Sequence, residues 1–568
     1  MKFVLVTGGV VSGIGKGITA SSIGLLLRSS GLRVTSIKID PYLNKDAGTM
    51  SPYEHGEVFV LNDGGEADLD LGNYERFMGL RLTSEHNITT GKIYDLVISK
   101  ERRGDYLGKT VQVVPHITDA IQSWIERVST IPVDGGDEPP EVCIIELGGT
   151  VGDIESMVFL EALRQFEYRV GRDNFCHILV SLVPFLSEQK SKPTQHSVRE
   201  LRATGLSPDL IVCRGTSPLD KAITSKIALF CMVPVENVIS VHDVHSIYHV
   251  PLVLLSQRVP ELIFQSLRLP ARPGVISRDW IHLTQTVEKS DKRSVSIALV
   301  GKYTGLKDSY LSVIKAVHHS ALALDLEDEI IWIDAVKLEH NDREEFERLK
   351  KCDGILIPGG FGSRGVEGKI LACTYARESK KPFLGICLGL QVAVIEFARN
   401  CCGITEANSE EFVEGSSENN VVVFMPEIKP GVFGGTMRLG IRQTKVRSET
   451  LASRLYGGKT AIYERHRHRY EVNPRMIDLL EKSGDLVFSG KDERKERMEI
   501  LEMPRHPFFI AVQFHPEFQS RPMNPSPPFL GLVAASAGLD LQSPEVVKLL
   551  NNDNAISLIA PKPRRESY

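Results

Sequence analysis

Leu384-Gly385-Ile386-Cys387-Leu388-Gly389-Leu390-Gln391 places a cysteine inside a Gly-x-Cys-x-Gly turn. Upstream, Pro382 to Ile386 is a short apolar run that reads as a buried strand, and downstream Leu388 to Arg399 has the apolar spacing of a helix. A strand passing directly into a helix is the building unit of an α/β fold. Glycines two residues either side of Cys387 let the backbone fold sharply and leave the thiol exposed above the sheet. It would then sit near a helix N-terminus, where the macrodipole favours thiolate over thiol. Taken alone, the motif fits either a nucleophile or a buried cysteine in a glycine-rich turn.

Two further stretches bear on that choice. Phe508 to Phe514 reads as a strand that ends in His515-Pro516-Glu517. A histidine at a strand end, with a carboxylate two residues on, supplies a general base and the group that orients it, or it is a satisfied structural histidine. Gly354 to Gly362 is a buried strand running into a glycine turn whose amides could hold an oxyanion. Pro358-Gly359-Gly360, Gly385 to Gly389 and His515 to Glu517 together resemble the three signatures of class I glutamine amidotransferases. The resemblance implies Cys387 as nucleophile, His515 as base and Glu517 as its partner. Glutamine would acylate the cysteine and release ammonia, and water would hydrolyse the thioester. It further implies that Gly360, Leu388, Gly389, Leu390, Gln391, Glu411 and Arg469 form the glutamine site. Arg469 lies in Glu464 to Glu471, which without the resemblance reads as a solvated basic strand; a metal site at His466 and His468 ranks below that reading.

A separate chemistry is written at the other end of the chain. Lys2 to Thr7 is an apolar strand, Gly8 to Gly17 is a glycine-rich loop containing Lys16, and a helical pattern follows to Arg28, ending at Gly31. Amides of such a loop close on phosphate oxygens and the lysine adds a point charge, so the run resembles a P-loop. The alternative is a glycine-rich structural turn. Val10 stands where the first glycine of a P-loop belongs, and Gly17 replaces the Ser or Thr that would touch magnesium. Carboxylates elsewhere must then hold the metal, and Asp70 and Glu146 are suitable hard oxygen ligands for Mg2+. Glu146 ends the apolar strand Val142 to Leu147, where open α/β sheets place ligands.

Long ordered runs extend the resemblance over nearly the whole chain, to the CTP synthase family: Lys38 to Tyr42, Ser51 to Glu57, Arg102 to Gly108, Gly152 to Ser156 and Lys190 to Gln195. The resemblance implies an ATP-dependent amination of UTP to CTP through a UTP phosphorylated at the 4-position, using ammonia from glutamine or free ammonia. It places the nucleotide-binding loop at Ser12, Gly13, Ile14, Gly15, Lys16, Gly17 and Ile18, with Lys16 and Lys38 on ATP phosphates and a lid around Leu107 and Gly108. Ser12, Asp153, Ile154, Glu155, Lys190, Ser191, Lys192, Pro193, Thr194, Gln195 and Lys226 would bind UTP, or CTP as inhibitor. Pro52, His55 and Val58 would line a passage for ammonia. GTP would activate glutamine hydrolysis, with Arg364 in a candidate contact. A homotetramer is expected, with UTP sites at subunit contacts, and filaments are a further family property. A different amidotransferase of the cobyrinate-ligase type and a filament scaffold with reduced activity are the rival readings.

The 568 residues suffice for two sizeable α/β domains. The expected division is a P-loop-like parallel-sheet synthase domain at 1–269, a linker at 270–293 with one amphipathic helix around Trp280, a glutamine amidotransferase α/β domain at 294–545 and a tail at 546–568 that reads as disordered from about Asn551. With 67 Lys and Arg against 72 Asp and Glu, the net charge of -5 gives no reason to propose nucleic acid or membrane as a partner. Nine cysteines, an odd number with no CxxC, suggest reduced thiols. No signal peptide and no bilayer-spanning apolar run is read, so a cytoplasmic protein is expected.

Overall fold

In the computed structural model, residues 1–413, 417–428 and 434–551 are described. The chain forms two compact units: one from Met1–Ala47 and Asp70–Glu288, the other from Gly48–Leu69 and the chain from Lys289 onward. The segment Gly48–Leu69, read from the sequence with the first domain, thus packs with the second unit. A helix, Pro544–Leu550, spans the boundary drawn at 546, and residues 552–568, nearly all of the stretch read as disordered, lie outside the described residues.

The first unit is built on a seven-stranded sheet in the order Asn87–Thr89, Val34–Asp40, Val142–Leu147, Lys2–Gly8, Phe175–Leu182, Leu210–Gly215, Val238–His242. Every pairing is parallel. Its central strands are buried at nearly every position rather than at alternate ones, because helices cover both faces of a parallel sheet. The C-terminal ends of Lys2–Gly8, Val34–Asp40 and Val142–Leu147 are neighbours, which brings the glycine loop, Lys38 and Glu146 to one edge. The amphipathic helix expected around Trp280 spans Arg278–Glu288 and packs in this unit: the indole is buried, its N–H donates to the Tyr248 carbonyl at 2.9 Å, and its ring meets Phe77.

The second unit carries, among the described residues, a nine-stranded mixed sheet. Its parallel half runs Leu326–Asp334, Arg293–Gly301, Gly354–Ile357, Phe383–Ile386, Phe509–Val512, and its antiparallel half continues through Met498–Glu502, Val487–Asp492, Arg438–Val446 and Ala461–His468. Apolar clusters lie on both faces. Register fixes the chemistry: Phe383 pairs with Phe509 and Ile386 with Val512, so Cys387 and Gln513 leave adjacent strand ends together. The rings of Phe383 and Phe509 stack at 4.3 Å, which adds about 0.5–1.5 kcal/mol beyond the area they bury and ties these two strands.

The basic run Glu464 to Glu471 is not solvated. Arg465, His466 and His468 are buried on or beside the strand Ala461–His468. The guanidinium of Arg465 donates to the Asn62 amide oxygen and the Val60 carbonyl, while the imidazoles of His466 and His468 hydrogen-bond each other at 3.0 Å. Local charge pattern does not reveal such long-range partners.

Candidate active sites

Cys387 sits between the strand Phe383–Ile386 and the helix Leu388–Asn400, with φ 53° and ψ -100°. A positive φ in a residue with a Cβ is strained, by about 1–3 kcal/mol, and the packing of the turn enforces it. A Cβ on Gly385 would lie 2.7 Å from the Gly389 carbonyl oxygen, and one on Gly389 would collide with the Ile357 carbonyl. The Cys387 amide donates to the Val512 carbonyl at 2.7 Å, locking the turn to the neighbouring strand. The helix that follows is buried from Leu388 to Ala398 on every side, so it is held as a core element rather than by one amphipathic face.

His515 follows the strand Phe509–Val512, and its Nδ1 is 2.8 Å from Glu517 Oε1. Its ring stacks on Phe518 with 5.2 Å between centroids. Burial acts to lower the His515 pKa, but Glu517 and the adjacent Cys387 thiol outweigh it and raise the group to about 10. Among the described residues Nε2 has no partner inside hydrogen-bond limits, which leaves it available to the thiol. Cys387 is only 4% exposed; its sulfur approaches the backbone carbonyl of Arg467 at 3.7 Å and accepts from Gln513 Nε2 at 3.6 Å. A thiol, an imidazole and a carboxylate in this order form a nucleophile, its base and the base's orienting group.

The loop after Gly354–Ile357 closes the third side. A Cβ on Gly359 would stand 2.9 Å from His515 Cε1 and 3.6 Å from Cys387 Cβ, so this glycine lets the backbone approach both groups. Lys369, fully buried, donates to the Pro358 carbonyl at 2.9 Å, and Lys302 donates to Phe361 O at 2.8 Å and to Gly362 O. Burial lowers both lysines, Lys302 to about 8 and Lys369 well below its usual range. Gly362 N in turn donates to Glu411 at 2.6 Å, and burial raises that carboxyl. Gly360, Cys387, Glu411, Arg469 and His515 all line one cavity of about 1120 Å³. Leu388 and Leu390 are buried in the helix, and Gln391 spends its amide N–H groups on Tyr470 O at 3.2 Å and Gln513 Oε1 at 3.4 Å. Pro52 and Val58 line the same cavity, whereas His55 is exposed and is not among the lining residues.

In the first unit, the helix Lys16–Ser29 starts from Gly15 at φ 90°, and Val10 adopts φ 79°. The departure from glycine at residue 10 therefore leaves the left-handed backbone in place, at the strain a β-branched residue carries there. The departure at Gly17 has a steric reason: a Cβ on Gly17 would collide with the carboxylate of Asp70. Asp70 occupies the space beside the loop that a Ser or Thr side chain would fill. Lys38 Nζ pairs with Asp70, and it lies 3.4 Å from Glu146 and 3.6 Å from Asp40. Lys16 Nζ donates to Gly149 O at 2.6 Å, and burial lowers its pKa. Burial is also the main reason Glu146 rises to about 7, and Tyr74, wholly buried, donates its hydroxyl to that carboxylate. Among the described residues no group of three His, Cys, Asp or Glu forms a metal cage. Two or three carboxylates at a phosphate loop nevertheless fit Mg2+, which keeps most of its ligands as water and phosphate oxygens.

The remaining nucleotide residues are distributed. Ser12, Ile154, Glu155, Lys192 and Lys226 are exposed, on separate loops and helices. Lys190 pairs with Glu188 at 2.8 Å, Asp153 accepts from Thr150 N at 2.8 Å, and Thr194 is buried against Ser181. The sequence reading missed Tyr74, Lys302, Lys369 and Gln513. Tyr74 was findable, since it lies four residues after Asp70 on one helix face. Gln513 and the two lysines carry no local signal, since the strand register and burial that place them come only with the fold.

The sequence matches the family description CTP synthase N-terminus over residues 2–269 and Glutamine amidotransferase class-I over residues 305–535. Full-length relatives include CTP synthase of Eremothecium gossypii, 57% identical over 95% of this chain and 97% of its own, and CTP synthase 1-A of Xenopus laevis, 59% identical over 95% and 93%. CTP synthase 1 of Homo sapiens is 58% identical over 95% of this chain and 93% of its own. A thiol–imidazole–carboxylate site in one unit, a phosphate loop with carboxylates in the other, and relatives alike over nearly their whole length lead to one assignment: the chain belongs to the CTP synthase family.

Proposed function

We propose that the chain converts UTP to CTP with ATP, drawing ammonia from glutamine at Cys387 and delivering it to a UTP activated in the first unit. Family membership supports UTP, ATP and glutamine as substrates of a glutamine-hydrolysing ligase. The observation that carries the residue assignment is the convergence of Cys387, His515 and Glu517 with the Gly359–Gly360 turn on one cavity that Pro52 and Val58 also line.

The Cys387 thiolate attacks the glutamine amide carbon while Glu517 holds the imidazolium of His515 in place. Amides of the Gly359–Gly360 turn and the following helix N-terminus stabilise the oxyanion. His515 then protonates the leaving nitrogen, ammonia departs, and a water deprotonated by His515 releases glutamate and restores the thiol. Glu411 and Arg469 hold the amino-acid end of glutamine. In the first unit Lys16 and Lys38 offset phosphate charge as the γ-phosphoryl of ATP moves to the uracil 4-oxygen, and ammonia displaces that phosphate. Asp70 and Glu146 would hold Mg2+, which supplies charge neutralisation on the transferring phosphoryl.

The passage reading assigns Pro52, Val58 and His55 to ammonia transfer, GTP to activation through the surroundings of Arg364, and CTP to inhibition at the residues that take UTP. The same reading includes a cytoplasmic homotetramer that can form filaments. Conversion of UTP to CTP, followed by absorbance with glutamine plus GTP or with ammonium chloride, tests the core of the proposal. Wild type should use both nitrogen sources and Cys387→Ala only ammonia; no conversion by folded wild type from either source would overturn it.

A further inference from the structure

The strand Ala461–His468 faces two ways. Its main chain meets the nucleophile and the base: the Arg465 carbonyl accepts from the His515 amide at 2.7 Å, and the Arg467 carbonyl lies 3.7 Å from the Cys387 sulfur. Its side chains at 465 and 467, two residues apart and so on one face, grip Gly48–Leu69. Arg465 donates to Asn62 Oδ1 at 2.7 Å and to Val60 O at 2.9 Å. Arg467 Nε donates to Glu66 Oε1 at 2.8 Å, a pair in which the carboxylate side chain is only 1% exposed. The other Glu66 oxygen accepts from Gly435 N at 3.1 Å, and Gly48 packs so closely on the carboxylate that a Cβ there would collide with it. A second line of contact runs through rings: Phe59 meets Phe518 at 5.2 Å, and Phe518 stacks on His515.

Residues 48–69 are also the segment that carries Pro52, His55 and Val58, and the chain continues from Leu69 directly into Asp70. We infer that Arg467 and Glu66, assisted by Arg465, are positioning residues that hold this segment against the glutaminase strand and so set the fraction of released ammonia that ends as the CTP amino group. The inference rests on the passage reading above. Without Arg467, a buried carboxylate loses its cation and the segment loses a fixed point. Ammonia then escapes to water, where protonation at neutral pH removes its nucleophilicity. Arg467 also lines the cavity that holds Cys387, so the fraction of ammonia captured, rather than the hydrolysis rate, is the quantity that reports on the segment.

The test is the ratio of CTP formed to glutamate released, with CTP formation from ammonium chloride measured on the same preparations. Arg467→Met and Glu66→Gln should each lower the ratio about threefold or more while the ammonia route stays at the wild-type rate. Arg467→Lys, which keeps the charge, should retain most of it. An unchanged ratio in both neutralising variants overturns the inference and leaves the passage reading standing. Parallel loss of the ammonia route in both would assign the pair a merely structural role and overturn it as well. If wild type makes no CTP from either source, the functional reading fails and this inference with it.

Discussion

At the tip of Phe383–Ile386 the reacting groups are already gathered: Cys387, His515 and Glu517 line one cavity, buried beside glycines that tolerate no Cβ. At the tip of Lys2–Gly8 the groups are charges, Lys16 and Lys38 against Asp40, Asp70 and Glu146, and several residues assigned to the nucleotides lie exposed on separate elements. The difference follows from the substrates. Amide hydrolysis generates little net charge, so a preformed oxyanion site suffices. Under the proposed function, phosphoryl transfer brings a highly charged ligand and a cation, and the lysines and carboxylates at this tip are the groups placed to meet them.

Cys387→Ala draws this contrast most sharply. Glutamine-dependent CTP formation should fall about 10⁴-fold or more, while the ammonia-dependent rate should stay within about twofold of wild type in the absorbance assay. Asp70→Asn should act the opposite way and lower both routes about 10²-fold or more, since the phosphoryl step serves both nitrogen sources. Glutamine-dependent turnover retained in the first variant, or normal ammonia-dependent turnover in the second, would break the division of labour between the sites.

Gly389→Ala tests whether the elbow is rigid. Its Cβ has no room beside the Ile357 carbonyl. We expect a loss of about 1–3 kcal/mol in stability, read as a lower denaturation midpoint, with glutaminase activity falling and the ammonia route spared. The smallest effect concerns pH. His515 is raised to about 10, with Glu517 the largest contribution opposing burial. A group raised on folding contributes stability that is fully present below its unfolded value, near 6.5, and is lost as pH rises through about 10. Glu517→Gln should therefore destabilise most near pH 6 and progressively less toward pH 10, as thermal midpoints across that range would show; a pH-independent difference would remove the ion pair from the account.

Much of both sites was legible because it is local. Gly-x-Cys-x-Gly, His-Pro-Glu and the glycine loop each specify a turn within a few residues, and the apolar strands beside them identify the α/β framework. The basic run at 464–471 misled for the complementary reason: Arg465 donates to Asn62 and Val60 and Arg467 pairs with Glu66, about 400 residues away, and no periodicity signals that. Gly17 was legible only as a departure until Asp70 appeared in the space beside it.

By itself, then, the sequence determined the turn chemistry, the parallel α/β character and the placement of Cys387 and His515 at strand ends, because backbone sterics and side-chain chemistry act over a few bonds. Tertiary structure alone decided that Gly48–Leu69 packs with the second unit, that Arg465 and the histidines beside it are buried, and that Asp70 fills the place beside Gly17. Those outcomes depend on strand register and on ion pairs between distant stretches, where the free energy of burying a charge is set by a partner that only the folded chain supplies.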